Sequence, residues 1–116
     1  MQKRVTVVIP NYNGMKYLKT CLDSLARQVF QEFDTIVVDN ASADESRTFI
    51  RENYPWVRLI VMDKNTGFSG AVNRGIREAK TPYVILLNND TEADRKFVLE
   101  MVQIMDSDER IFSANC

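Results

Sequence analysis

Apolar and polar positions alternate in blocks along the chain, and their period changes from block to block. Val5 to Ile9 is an unbroken, largely β-branched run that stops at Pro10 and the turn-rich Asn11, Tyr12, Asn13 and Gly14, which predicts a buried strand entering a loop. Leu18, Cys21, Leu22, Leu25 and Val29 then recur at helical spacing with charged and polar residues between them, so Cys21 reads as core. Thr35 to Val38 is a second apolar strand, ending in Asp39, Asn40, Ala41 and Ser42. Ser42 and Glu45 have the spacing of a capping box for a short helix with Phe49 and Ile50 on its inner face. Val57 to Met62 reads as a third strand, and after the loop Asp63 to Gly67 comes a helix with Val72, Ile76 and Ala79. Gly70 and Gly75 weaken that helix by about 1 kcal/mol each relative to Ala, which points to a close approach of backbone or ligand. Tyr83 to Leu87 is the fourth strand. Thr91 and Asp94 are spaced to cap a last helix, with Glu92 in its first turn and Phe97, Val98, Met101, Val102 and Met105 on its apolar face. Ile111 and Phe112 begin a fifth strand.

Strands and helices alternate, and the strands are continuous apolar runs rather than alternating ones, so they belong to a parallel sheet covered on both faces. The expected fold is a Rossmann-like α/β three-layer sandwich, and 116 residues suffice for one domain, residues 1–116. In such sheets ligands bind beyond the carboxyl ends of the strands. The loops at those ends are PNYNG, DNAS, DKNTGFSG and NNDT, so one edge of the sheet gathers carboxylates, amides and glycines.

Composition removes several classes of function. Apolar residues make up 45% of the chain and charged residues 27%, values of an ordinary globular protein. A net charge of -1 with no basic block gives no footprint for nucleic acid or an anionic membrane. His is absent and only Cys21 and Cys116 are present, which excludes ordinary zinc sites and a disulfide framework and favours a reducing compartment. No apolar run approaches the roughly 20 residues of a spanning helix, so a cytoplasmic chain is expected.

The first loop has neither a G-x-G-x-x-G nor a Walker Gly-Lys-Ser/Thr, which disfavours dinucleotide oxidoreductases and P-loop enzymes. A phosphoacceptor receiver domain has a suitable length, but it wants acids where this chain has Pro10 and Asn11. Asp39, at the end of the second strand, either accepts hydrogen bonds from a ligand or caps the following turn through Ser42. Asp90, at the end of the fourth, either shares a divalent cation such as Mg²⁺ or Mn²⁺ with substrate phosphates and water, or belongs to an ordinary turn with Asn88 and Asn89. Asn65 to Gly75 offers small residues for backbone approach, with Asn73 and Arg74 able to bond a base, ribose or phosphate; the alternative is turn glycines and a solvated Arg74. For Tyr12, Trp56 and Phe68, core or rim packing is the default reading.

Taken in order, VTVVIPNYNG, TIVVDNAS, NTGFSGAVNRGI and YVILLNND resemble the family 2 glycosyltransferases of the GT-A fold over nearly the whole chain. The third segment looks most like the bacterial rhamnosyltransferase-like branch of polysaccharide assembly. The resemblance implies a nucleotide-diphosphate sugar donor carrying UDP, dTDP or GDP, and transfer to a saccharide or lipid-linked acceptor hydroxyl with inversion. It implies that Asp39 recognises the base or ribose, that Pro10, Asn11, Tyr12 and Asn13 line the nucleotide pocket, and that Asn65, Gly67, Phe68, Asn73, Asn88 and Asn89 complete it. The family's Asp-X-Asp metal motif falls on Asn88, Asn89 and Asp90, leaving Asp90 to hold Mn²⁺ or Mg²⁺. The family's general base lies after that motif, so this chain looks like the N-terminal, donor-binding half of a longer enzyme, cytoplasmic or peripheral at the inner face of the cell membrane. An unfinished sheet edge near Ile111 would then invite self-association. A non-catalytic nucleotide-binding module is the competing reading.

Overall fold

The computed structural model describes residues 3–107 and 113–115. The apolar runs form strands β1 Val5–Asn11, β2 Phe33–Asp39, β3 Val57–Val61 and β4 Tyr83–Leu86, with β5 at Ser113–Asn115. Between them lie helices α1 Met15–Ala26, α2 Ser46–Asn53, α3 Gly67–Glu78 and α4 Phe97–Ser107. All pairings are parallel, in the order β3-β2-β1-β4-β5. This order reverses between β1 and β4, as in the doubly wound nucleotide-binding sheet, and differs from the 2-1-3-4-5 order of receiver domains. The expectation of Ile111 and Phe112 as the start of the fifth strand lies outside the described residues.

The central strands β1 and β2 are buried on both faces, which explains why they lack alternation. Val5, Val7 and Ile9 of β1 and Phe33 and Val37 of β2 pack against α1, α2 and α4, together with Leu18, Leu22, Leu25, Ile50, Val98, Val102 and Met105. Val8, Ile36, Val38 and Ile60 face the other way, with Ala71 of α3. Each of these large aliphatic side chains contributes about 1.5–3 kcal/mol when fully buried, so a one-residue slip in register would exchange the two sets and misfit both layers. Gly75 lets α3 lie close to the sheet, because a Cβ there would collide with the Val8 side chain. At Gly70 a Cβ would strike Thr66. Both glycines thus serve packing of the chain on itself.

Several boundaries differ from the sequence pattern for local reasons. Val29 lies beyond α1 and is half exposed, its N–H bonded to the Arg95 carbonyl at 2.9 Å. Ile76 is exposed, and Ala79 is the C-cap of α3. Ser42 does not cap α2. The N-cap position is Glu45 without a side-chain bond, and Asp44 accepts from the Ser46 N–H at 3.0 Å. Likewise α4 begins at Phe97, so Glu92 precedes it and lies 3.6 Å from Arg27, while Asp94 accepts from the Lys96 N–H at 3.0 Å.

Pro10 sets where the sheet opens. β1 pairs with β2 through Asn11↔Asp39, but its ladder to β4 ends at Val8↔Leu86, with the Leu87 N–H donating to the Val8 carbonyl at 3.0 Å. The next β1 donor on that side would be the nitrogen of Pro10, which carries no hydrogen. Beyond it the two strands are free to part, and a cavity lies between their ends.

Candidate functional site

The cavity is about 300 Å³ and is built from the carboxyl ends of four strands. Pro10, Asn11 and Tyr12 come from the end of β1, Asn40 from β2, Asn65 from the β3–α3 loop, Phe68 and Ala71 from α3, and Asn88, Asn89 and Asp90 from the segment after β4. It sits where the strand order reverses, the usual ligand position in open α/β sheets. Tyr12 and Phe68 are 52% and 58% exposed, so their rings flank an open mouth instead of packing in the core.

Three amide clips hold the loops in place. The Asn89 amide donates to Asn11 Oδ1 at 2.8 Å, and Asn11 Nδ2 donates to Asp39 Oδ1 at 3.0 Å, so the ends of β4, β1 and β2 are joined in series. Gly14 makes this possible: a Cβ there would overlap both the Asn89 amide nitrogen and Asn11 Oδ1. Asn40, which is buried, uses its whole side-chain amide. Its Nδ2 donates to Asn65 Oδ1 at 3.0 Å and to the Gly67 carbonyl at 2.9 Å, and its Oδ1 accepts from the Thr66 N–H at 2.9 Å and hydroxyl at 3.1 Å. Asn13, in left-handed backbone at φ 51°, accepts from the Ala43 N–H at 2.7 Å through Oδ1, and its own N–H donates to the Ser42 hydroxyl at 2.8 Å.

Asp39 is fully buried. Its Oδ1 accepts from Asn11 and from the Ser42 hydroxyl at 2.7 Å, its Oδ2 accepts from the Ser42 N–H at 2.9 Å, and Arg47 Nε stands 3.9 Å away. A buried carboxylate needs such donors. The turn-capping reading through Ser42 is therefore observed, and the carboxylate stands beneath the cavity wall formed by Asn11.

Asp90 is in the opposite condition. It is exposed, lines the cavity and makes no hydrogen bond or ion pair among the described residues. Its charge is felt below it: the buried Cys21 thiol, 3.9 Å from the Asn88 carbonyl, is pushed up to about 12, first by burial and then by Asp90. Among the described residues no three His, Cys, Asp or Glu side chains gather as a cage. One uncommitted carboxylate beside the exposed Asn88 fits a hard divalent cation that takes its remaining ligands from water and phosphate oxygens.

Of the residues singled out in the sequence, Pro10, Asn11, Tyr12, Asn65, Phe68, Asn88, Asn89 and Asp90 meet in this cavity. Asn13 and Asp39 stand behind it in the loop network. Gly67, at φ +78°, allows the turn into α3 and lies outside the lining. Asn73 lines a separate groove on α3 with Met62, Thr66 and Ile76, and Arg74 pairs with Glu78 at 3.3 Å. Asn40 and Ala71 also line the cavity without having been expected to; the DNAS motif carries the signal for Asn40, a polar residue just beyond the end of β2, whereas Ala71 has none.

The family model for glycosyl transferase family 2 matches residues 6–115. The chain belongs to glycosyl transferase family 2. Its relatives include the teichoic acid poly(glycerol phosphate) polymerase of Staphylococcus epidermidis, 32% identical over 77% of this chain and 13% of the relative. Glycosyltransferase GlyG of Streptococcus pneumoniae is 30% identical over 93% of this chain and 38% of its own length. This family 2 chain thus spans well under half of the curated relatives it matches. Among solved structures, Staphylococcus aureus TarS residues 1–349 superimposes with a TM-score of 0.83 at 23% identity, over 91% of this chain and 33% of that one, which establishes a shared fold. The mannosyltransferase PcManGT of Pyrobaculum calidifontis, solved with GDP-Man and Mn²⁺, superimposes with a TM-score of 0.83 at 26% identity over 90% of this chain and 33% of that one. The family and the strand order together set aside the receiver reading. Among the described residues no helix is long and apolar enough to cross a membrane.

Proposed function

We propose that this family 2 chain binds the nucleotide-diphosphate sugar for an inverting, cation-assisted transfer to an acceptor hydroxyl. The observation that carries the reading is the uncommitted Asp90 carboxylate in a cavity between β1 and β4, in a chain of this family. Tyr12 and Phe68 offer aromatic faces at the mouth for a base, where stacking of this kind contributes about 1–3 kcal/mol. Asn11 and Asn65 present polar edges along the wall, where ribose hydroxyls and the base edge find partners, while Asn40, its amide fully bonded within the protein, fixes the loop that carries Asn65. Asp39 supports that wall through Asn11, and a base edge reaching past the Asn11 amide would meet its carboxylate. Asp90 and Asn88 would hold a Mn²⁺ or Mg²⁺ ion, which when bound neutralises charge on the departing diphosphate. The clips from Asn89 and Asn40 keep these groups in position before the donor arrives, which reduces the ordering cost of binding. Titration calorimetry with UDP, dTDP and GDP, with and without Mn²⁺, tests the reading. Metal-dependent binding of at least one is expected, and its absence for all three in the folded chain would refute it.

A further inference from the structure

We propose that Asn89 is a positioning residue: its amide sets the cation-bearing Asp90 against the nucleotide wall, and position 89 needs a hydrogen-bond donor to do so. This role rests on the reading of the cavity as a nucleotide-diphosphate site.

The need for a donor starts at Asp39. That carboxylate is fully buried and offers only acceptors, so the buried Asn11 turns its Nδ2 inward, where it donates to Asp39 Oδ1 at 3.0 Å and to the Ser42 hydroxyl at 3.4 Å. Asn11 Oδ1 is thereby turned towards the end of β4, and it accepts from Asn89 Nδ2 at 2.8 Å. An aspartate at position 89 would set a second acceptor against that oxygen. Polarity thus runs one way along the row, from Asp39 through Asn11 to Asn89.

The same bond fixes the segment that carries the candidate cation ligand. Backbone pairing between β1 and β4 stops where the Leu87 N–H meets the Val8 carbonyl, and Asn88 and Asp90 are both exposed. Asn89, partly buried between them, reaches back across the gap to β1. Neighbouring Cα atoms are about 3.8 Å apart, so holding Asn89 leaves Asp90 little room to drift from the wall. Gly14 keeps the space for this bond open: it does not line the cavity, but a Cβ on it would overlap both bonded atoms.

The expected effect of an acid at position 89 is opposite to that of simple charge. Were residues 88–90 only an acidic cation loop, a second carboxylate beside Asp90 would strengthen the response to Mn²⁺. With Asn89 as the positioning group, Asn89→Asp weakens it, because the lost bond frees Asp90 and the new charge repels the Asn11 oxygen. A bond of this kind is worth about two- to tenfold in an equilibrium.

The test is calorimetric titration of UDP, dTDP and GDP, each with and without Mn²⁺, into the parent, Asn89→Asp and Gly14→Ala, with circular dichroism to verify folding. The quantity compared is the factor by which Mn²⁺ tightens binding. It is expected to be about tenfold or more for at least one nucleotide in the parent and about threefold or less in both variants. A merely structural role would weaken the two titrations alike and leave the factor unchanged. An unchanged or larger factor in Asn89→Asp, or an unchanged one in folded Gly14→Ala, overturns the role of Asn89 while the nucleotide reading stands. A parent with no Mn²⁺-dependent binding overturns that reading and this role with it. Gly14→Ala breaks the bond without adding charge, and should it not fold, Asn89→Asp decides alone.

Discussion

At the scale of single residues, the two aspartates after β2 and β4, on either side of β1, show how burial divides labour. Asp39 and Asp90 look alike in the sequence, each standing just after an apolar run among turn formers, Asn40 and Ser42 beyond the one and Asn88 and Asn89 before the other. Asp39 is buried and surrounded by donors, whereas Asp90 has no hydrogen-bond or ion-pair partner among the described residues. That difference was not legible in the sequence, because it depends on which loop folds over which strand end. The buried role of Cys21 was legible, since helical spacing alone placed it inside. Its thiol is pushed up to about 12, so at about pH 8 it should resist iodoacetamide in the native chain and react once guanidinium unfolds it. Peptide mapping by mass spectrometry reads the result, and rapid native labelling of Cys21 would contradict the burial. The raised value fixes the sign of the pH dependence. The stability contributed by the neutral thiol is complete below the unfolded value of about 8.5 and fades as pH rises towards 12. Asp90→Asn removes the second cause, so the thiol should titrate lower in that variant than in the parent.

At the scale of elements, helix ends were the least legible part. The capping pairs inferred at Ser42/Glu45 and Thr91/Asp94 have the right spacing, but the caps form elsewhere, because the Ser42 hydroxyl is taken by Asp39 within the turn and by the Asn13 N–H, and the last helix starts three residues after Asp94. Asp44 does work that the spacing did not reveal. One of its oxygens accepts from the Met15 N–H at the start of α1 at 3.1 Å, and the other from Ser46 at the start of α2. Burial pushes this carboxyl up, but the bonds from Ser46 and Met15 outweigh it and leave it below the usual range. The contribution is therefore present above about pH 4 and lost as pH falls through the depressed native value. Asp44→Ala should cost about 1–2 kcal/mol in urea unfolding at neutral pH, the range of a lost cap, and the difference from the parent should shrink in acid. A neutral result would remove Asp44 as the shared anchor of the two helices. Gly75→Ala provides a packing test. The better helix former gains about 1 kcal/mol, but overpacking against Val8 costs about 1–3 kcal/mol, so net destabilisation is expected in thermal unfolding.

At the scale of the whole molecule, fold class was the most legible feature, because parallel strands buried on both faces must be continuous apolar runs and so betray themselves. The loops were legible as a group for a related reason: each strand ends in polar residues on one edge, and the connectivity brings four of those ends together. What needed the structure was the order β3-β2-β1-β4-β5, which places β1 beside β4 and lets Pro10 end their ladder above the cavity. Asn73 illustrates the remainder, since a shared helix does not guarantee a shared face, and it points to a different groove from Phe68. The central claim, that this end of the sheet binds a nucleoside diphosphate through a cation held at Asp90, is tested most directly by one comparison. UDP, dTDP and GDP are titrated calorimetrically into the parent chain and into Asp90→Asn, each with and without Mn²⁺. The account predicts that Mn²⁺ tightens binding of at least one nucleotide by about tenfold or more in the parent, an effect of about 1.4 kcal/mol, and has no influence in Asp90→Asn with its fold intact. An identical Mn²⁺ response in both chains would contradict it.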